Sequence, residues 1–134
     1  MHVLVVDDDE AVRSSLSDAL ANESVRVSVA ATGEEALERL AAEAVDLVLS
    51  DVRMPGMNGL ELLRRVKSGV RAGAPAADVV LMTAFSDPGV AVVAVREGAR
   101  ACLNKPLDLL DLRALVSGLL GDRAVAAGRK DPSP

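Results

Sequence analysis

Val45-Asp-Leu-Val-Leu-Ser-Asp-Val-Arg-Met-Pro-Gly-Met-Asn-Gly59 is the stretch on which the fold turns. Its apolar run, Leu47-Val48-Leu49, reads as a short strand buried on both faces. The run ends at Ser50 and is followed by a single acid, Asp51. A loop punctuated by Pro55, Gly56 and Gly59 comes next, then a helical pattern from Leu60 to Lys67. A lone carboxylate thus stands at the C-terminal tip of a buried strand, just before a strand-to-helix crossover. In open α/β sheets that edge is where ligands bind.

The same strand-then-helix unit recurs on both sides. Val3-Leu-Val-Val6 is a β-branched run, hence a first strand. It is followed by Asp7, Asp8, Asp9 and Glu10, and then by Val12, Leu16, Ala19 and Leu20 at helical spacing. Val25-Arg-Val-Ser-Val29 alternates with period two, as an edge strand with one polar face does. Thr32 reads as the N-cap of a second helix, with Glu34 and Glu35 in its first turn and Ala36, Leu37 and Leu40 as its stripe. After the central unit, residues 71–77 lack periodicity and read as a loop. Val79-Val-Leu-Met82 is a fourth strand ending at Thr83. Asp87-Pro-Gly89 opens a fourth helix, which runs to Glu97 and stops at Gly98. Ala101-Cys-Leu103 is a fifth strand, followed by Lys105-Pro106. Leu112, Leu115, Val116 and Leu119 mark a fifth helix. From Arg123 the composition turns to Ala, Gly, charge and Pro, so the expected division is a folded domain over 1–122 and a flexible tail over 123–134.

Five strand-helix units in succession argue for an α/β fold: a doubly wound, five-stranded parallel sheet with helices on both faces and right-handed crossovers. The expected strand order is 2-1-3-4-5, a common order for such sheets. It makes the first and third strands neighbours at the switch point. Asp7, Asp8 and Asp51 then meet at the C-terminal edge, with Thr83 and Lys105 ending strands there too.

Bulk composition narrows what such an edge can serve. The chain has 134 residues, a single-domain length, and half of them are hydrophobic. Phe85 is its one aromatic residue, so no surface for stacking bases is available. The net charge of −5 argues against a nucleic-acid partner. One cysteine allows no internal disulfide and fits a reducing cytosol. No run is long enough for a membrane span and no leader pattern is present, so a cytoplasmic protein is expected.

Three converging carboxylates repel. Two unit charges about 4 Å apart interact by roughly 4 kcal/mol at an effective dielectric of 20. A hard divalent cation with oxygen ligands is the natural counter-charge, and Mg²⁺ suits a site with few carboxylates and room for a phosphate oxygen. Lys105 and the Thr83 hydroxyl, facing the cluster, could hold further phosphoryl oxygens. Asp51 is then placed as an in-line nucleophile that becomes an aspartyl phosphate. Asp9 and Glu10 read as charges at a helix N-terminus. His2, beside the chain start, reads as a surface residue.

These residues carry a resemblance. Val5-Val6-Asp7-Asp8-Asp9, Ser50-Asp51-Val52-Arg53-Met54-Pro55, Met57-Asn58-Gly59, Met82-Thr83-Ala84 and Lys105-Pro106 come in the order and at the spacing of the receiver domains of two-component response regulators, whose fold is flavodoxin/CheY-like. The chain resembles that family over residues 2 to 121. Met82-Thr-Ala-Phe-Ser-Asp and Asn104-Lys-Pro-Leu-Asp-Leu are most similar to receivers of the NtrC type. The resemblance implies that Asp51 accepts a phosphoryl group from a sensor histidine kinase or phosphotransfer protein. It implies that Asp8 binds Mg²⁺ directly and Asp7 through water, with Asp51 and the backbone carbonyl of Arg53 completing the shell. Thr83 and Lys105 would contact the phosphoryl group, and the Lys105–Pro106 peptide would be cis. The domain would promote its own phosphorylation and dephosphorylation and act as a signalling module rather than an enzyme.

One departure stands out. Three residues before the lysine such receivers carry Tyr or Phe, and here it is Cys102. The aromatic reporter is missing, so output is expected to run through Thr83 and the loop after it, with Phe85 repacking. The fourth helix, with Val90, Val92, Val93 and Val95, is more apolar than one buried stripe needs. Leu107, Leu109 and Leu110 lie just before the fifth helix. A partner face on helix four, strand five and helix five is expected, for a downstream effector or a second copy of the chain. Two rivals remain on sequence grounds: a receiver-like interaction module that is not phosphorylated, and a phosphatase of the haloacid dehalogenase type using Asp7 and Asp9.

Overall fold

Strands form where the apolar runs are continuous. The structure, a computed structural model, describes residues 1–69, 77–84 and 88–128. The elements are β1 His2–Val6, α1 Glu10–Leu20, β2 Arg26–Ala30, α2 Gly33–Ala42, β3 Leu47–Asp51, α3 Gly59–Ser68, β4 Asp78–Ala84, α4 Pro88–Arg96, β5 Ala101–Lys105 and α5 Leu109–Gly128. All strand pairs are parallel, in the order β2-β1-β3-β4-β5. The expected doubly wound fold and strand order are both present.

Because successive strand residues point to opposite faces, each central strand feeds two cores. Val3, Val5, Leu47, Leu49, Val80 and Met82 pack with Leu16 and Leu20 of α1 and Leu112, Val116 and Leu119 of α5. Leu4, Val6, Val48, Val79 and Leu81 pack with Ala36 of α2, Leu62 and Leu63 of α3 and Ala94 of α4. Every residue of β1 and β3 is buried, which is why these strands read as unbroken apolar runs.

Helix starts follow the local chemistry. Asp9 caps α1 by accepting from the Ala11 N–H at 2.9 Å, and Thr32 caps α2 by accepting from Glu35 N–H at 3.1 Å. Asn58 caps α3 in the same way, accepting from Glu61 N–H at 2.9 Å.

Two expectations need correction. His2 is not on the surface: it is 5% exposed. As the first residue of β1 it lies between β2 and β3. Its Nε2 is 2.7 Å from Ser28 Oγ, and its Nδ1 is 2.9 Å from the Ala44 carbonyl. Neighbouring strands bury it, not its own sequence context. Helix α5 also continues past Arg123 to Gly128, through Ala124, Ala126 and Ala127, which are strong helix formers. Phe85, Asp87, the loop over 70–76 and residues 129–134 lie outside the described residues.

Candidate functional site

Strand register assembles the site. Val6 pairs with Ser50, Asp51 with Met82, Thr83 with Asn104 and Ala84 with Lys105. Asp7, Asp51, Thr83 and Lys105 therefore end up on one edge although they are far apart in sequence. Asp7 follows the last residue of β1 and is buried; its neighbour Asp8 is exposed; Asp51 ends β3 and is buried. Carboxylate oxygens of these three lie within 4.8 Å of one another.

Lys105 ends β5, with its ammonium between two of the acids. Nζ is 3.3 Å from Asp51 Oδ2 and 3.4 Å from Asp7 Oδ2. The peptide after it, Lys105–Pro106, is cis. Burial alone would lower the pKa of Lys105, but the charges of Asp51 and Asp7 outweigh it and hold the ammonium above its ordinary value. Asp7 is pushed up from the usual carboxylate range chiefly by burial, with the Asp51 charge adding to it. The Asp9 N–H, donating to Asp7 Oδ1 at 2.9 Å, and the Lys105 charge pull the other way and do not cancel the burial. Lys105 thus only partly offsets the cost of burying the Asp7 charge.

Thr83 supplies the remaining polar group. Its residue is 1% exposed, and its Oγ1 finds no hydrogen-bond partner among the described residues. An unsatisfied buried hydroxyl costs about 1–3 kcal/mol. Strand register puts it on the same sheet edge as the acids, where a hydroxyl donor suits an anionic ligand.

Backbone packing fixes Asp51. Val52 N–H donates to the Met82 carbonyl at 2.9 Å, and Gly59 N–H to the Val52 carbonyl at 2.9 Å. A Cβ at Gly59 would lie 2.5 Å from the Asp51 carbonyl oxygen and 2.9 Å from Val52 Cα. Only glycine lets the start of α3 approach the Asp51 backbone so closely. The Ser50 hydroxyl donates to the Asp51 carbonyl at 2.9 Å. Arg13 Nη1 donates to the Asp7 carbonyl at 2.8 Å. Sequence reading missed Arg13 and Ser50 as supports, and nothing in their spacing signals the contacts. The Asn58-to-Glu61 capping signal was there to be read.

The donor set is all oxygen, with two buried acids and one exposed. It fits a hard divalent cation that keeps some of its waters. Arg53, two residues beyond Asp51, lies in the exposed loop, where it lines a groove of about 550 Å³ with Val52, Met54, Pro55, Leu60 and Val90. Asp9 is occupied in capping α1 and does not join the acidic group. Its loss from the site removes the Asp7–Asp9 pair on which the phosphatase alternative rests. Cys102, half-buried in β5, packs against the core of the α2–α3–α4 face, and burial raises its thiol pKa.

Comparison with known proteins agrees with this geometry. The sequence profile described as "Response regulator receiver domain" matches residues 3–117. The DNA-binding transcriptional regulator NtrC of Escherichia coli is 40% identical over 132 residues, 98% of this chain and 26% of that protein. The response regulator protein FleR of Pseudomonas aeruginosa is 44% identical over 115 residues, 84% of this chain and 24% of that protein. The chain spans about a quarter of the length of these relatives. Among solved structures, a CheY-like receiver domain from Methanospirillum hungatei superposes with a TM-score of 0.81 at 30% identity, covering 93% of this chain and 97% of that one. The BeF3-activated DrrB receiver domain superposes with a TM-score of 0.77 at 31% identity, covering 90% and 97%.

Proposed function

The chain belongs to the response regulator receiver domains of two-component signalling, and on that premise we propose that Asp51 is its phosphoacceptor, with Lys105 and Thr83 holding the phosphoryl group. The observation that carries the assignment is the position of Lys105 Nζ, within 3.4 Å of both Asp51 and Asp7. A cation so placed offsets the charge of the approaching phosphoryl group and of the nucleophile together. One Asp51 carboxylate oxygen bonds to phosphorus as the bond to the donor breaks, which for a histidine kinase or phosphotransfer protein is a phosphorus–nitrogen bond. Lys105, held protonated, keeps one phosphoryl oxygen. The Thr83 hydroxyl donates to another and so gains the partner it lacks among the described residues. Mg²⁺, held by Asp7, Asp8, Asp51 and the Arg53 backbone carbonyl, would neutralise the charge gathered on the phosphoryl oxygens. Since the protein supplies nucleophile and stabilising groups alike, it promotes its own phosphorylation and, with water as attacking group, its dephosphorylation.

Output runs through the apolar surface beside the site. Val92, Val95 and Leu110 are 58%, 60% and 73% exposed, and Val93 and Leu109 are also exposed. The face of α4, β5 and α5 would receive an effector or a second copy of the chain. No helix among the described residues is long and apolar enough to cross a membrane. Incubation with acetyl phosphate and Mg²⁺ tests the assignment. Intact mass should rise by one phosphoryl group in the wild type and not in Asp51→Asn or without metal. Equal labelling of wild type and Asp51→Asn would refute it.

A further inference from the structure

Asp7 and Asp8 sit in the short connection between β1, which ends at Val6, and α1, which begins at Glu10. Two neighbouring carboxylates can serve one ion only if that connection is fixed in direction. The Asp7 N–H donates to the Ala30 carbonyl at 3.2 Å, which carries the β1–β2 pairing one residue further. The Asp9 N–H donates to Asp7 Oδ1 at 2.9 Å. The Asp9 carbonyl accepts from the Arg13 N–H at 3.1 Å as α1 starts. The Asp7 carbonyl is met instead by a side chain: Arg13 Nη1 donates to it at 2.8 Å. Arg13 therefore bonds the connection twice, through its own N–H and through its guanidinium. Asp8, between these held points, is exposed and stands where the chain bends.

Residue type and position suit this contact. Arg13 is the fourth residue of α1. Side chains on a helix lean toward its N-terminus, so a long one at this point reaches back over the connection. A cation near the positive end of a helix is otherwise disfavoured. The carboxyl of Asp7 responds to burial, the Asp9 N–H, Lys105 and Asp51, and Arg13 is absent from that set. Arg13 thus acts on the backbone of Asp7 rather than on its charge. We propose that Arg13 is a positioning residue for the cation site: through the Asp7 carbonyl it fixes the β1–α1 connection, and with it the angle at which Asp7 and Asp8 meet Asp51.

This role rests on the reading of the three acids as a Mg²⁺ site. A loosened connection spreads the directions of Asp7 and Asp8 and leaves Asp51, on β3, where it was. It therefore weakens the hold on the ion and spares the nucleophile. Arg113 supplies the comparison. Its Nε donates to the Ala19 carbonyl at 2.9 Å, the same kind of bond at the opposite end of α1.

Calorimetric titration of the whole chain with Mg²⁺, at low and high salt, compares wild type, Arg13→Met, Arg13→Lys and Arg113→Met. Arg13→Met keeps the stem and loses the donors, and should weaken Mg²⁺ binding about tenfold, as loss of a hydrogen bond supporting a metal ligand does. The ratio to wild type should persist in high salt, which would screen an effect of charge alone. Arg13→Lys, which retains a charged donor, should recover part of the affinity. Arg113→Met should bind as wild type does even where its melting temperature falls. With acetyl phosphate, the Mg²⁺ concentration for half-maximal labelling should rise in Arg13→Met, while the rate at saturating Mg²⁺ stays near wild type. Wild-type affinity in Arg13→Met, a deficit that vanishes in high salt, no recovery in Arg13→Lys, or an equal deficit in Arg113→Met overturns the role. Amide exchange at Asp9 in the metal-free chain keeps the two claims apart, and should be several-fold faster in Arg13→Met than in wild type or Arg113→Met. A wild type that binds no Mg²⁺ sinks the metal reading and the role with it. Unchanged Asp9 exchange in Arg13→Met sinks the role alone, whatever the wild type does with the metal.

Discussion

At the scale of single residues, the buried charge imbalance around Asp7 makes stability depend on pH. Burial raises the Asp7 carboxyl above its ordinary range. The folded protein therefore keeps that proton to a higher pH than the unfolded chain does. With more protons bound in the folded state, stability falls as pH rises from the ordinary carboxylate range through the raised value of Asp7. Asp7→Asn should flatten this fall and raise the melting temperature of the metal-free protein at neutral pH by a few degrees, roughly the effect of 1 kcal/mol. Mg²⁺ should stabilise the wild type by linkage and the variant much less. Thermal unfolding with and without metal, at several pH values, reads both effects; an Asp7→Asn protein that melts lower than metal-free wild type contradicts the imbalance. Cys102→Ser should leave the rate of labelling by acetyl phosphate nearly unchanged, because the thiol is held protonated by burial and packs away from the acids. Asp7, Asp8, Asp51, Thr83 and Lys105 were legible because each ends or follows an apolar run. The burial of His2 was not, since it depends on residues 24 and 44 positions away in sequence. Nor was the lack of a partner for the Thr83 hydroxyl among the described residues, which is a property of packing.

At the scale of elements, the crossover from β3 to α3 is the most tightly specified piece of the fold. Gly59→Ala would drive a Cβ against the backbone of Asp51 and Val52, where no flexible side chain can give way. It should cost about 1–3 kcal/mol, the usual penalty of overpacking, and slow phosphorylation by displacing the carboxylate. Chemical denaturation and the labelling rate measure the two effects; a fully stable Gly59→Ala with wild-type labelling would contradict the close approach. Gly59 was readable as loop punctuation, but its contact with β3 was not, because only the folded crossover brings the two backbones together. Helix stops were read well at Gly98, where glycine is needed for a positive φ, and poorly at α5. There the alanines beyond Arg123 continue the helix through composition that also suits a tail.

For the molecule as a whole, the strand order was legible because β-α alternation permits few arrangements. The apolar runs of β1 and β3 marked them as central, and the alternating β2 as an edge. The exposed face of α4 and α5 was foreshadowed by surplus valines and leucines, though which of them face outward needed the packing. Leu110→Asp should abolish phosphorylation-dependent self-association or effector binding at this face and leave labelling intact. Sedimentation of the phosphorylated protein checks the first, and unchanged association in Leu110→Asp would count against the face. The central claim is that one carboxylate among a cluster of acids receives the phosphoryl group. Borohydride reduction tests it most directly, since it converts an aspartyl phosphate to homoserine and marks the residue in a peptide map. Homoserine at position 51, formed only with phosphodonor and Mg²⁺, is the predicted result; homoserine at position 7 or 8, with Asp51 unmarked, would contradict the account.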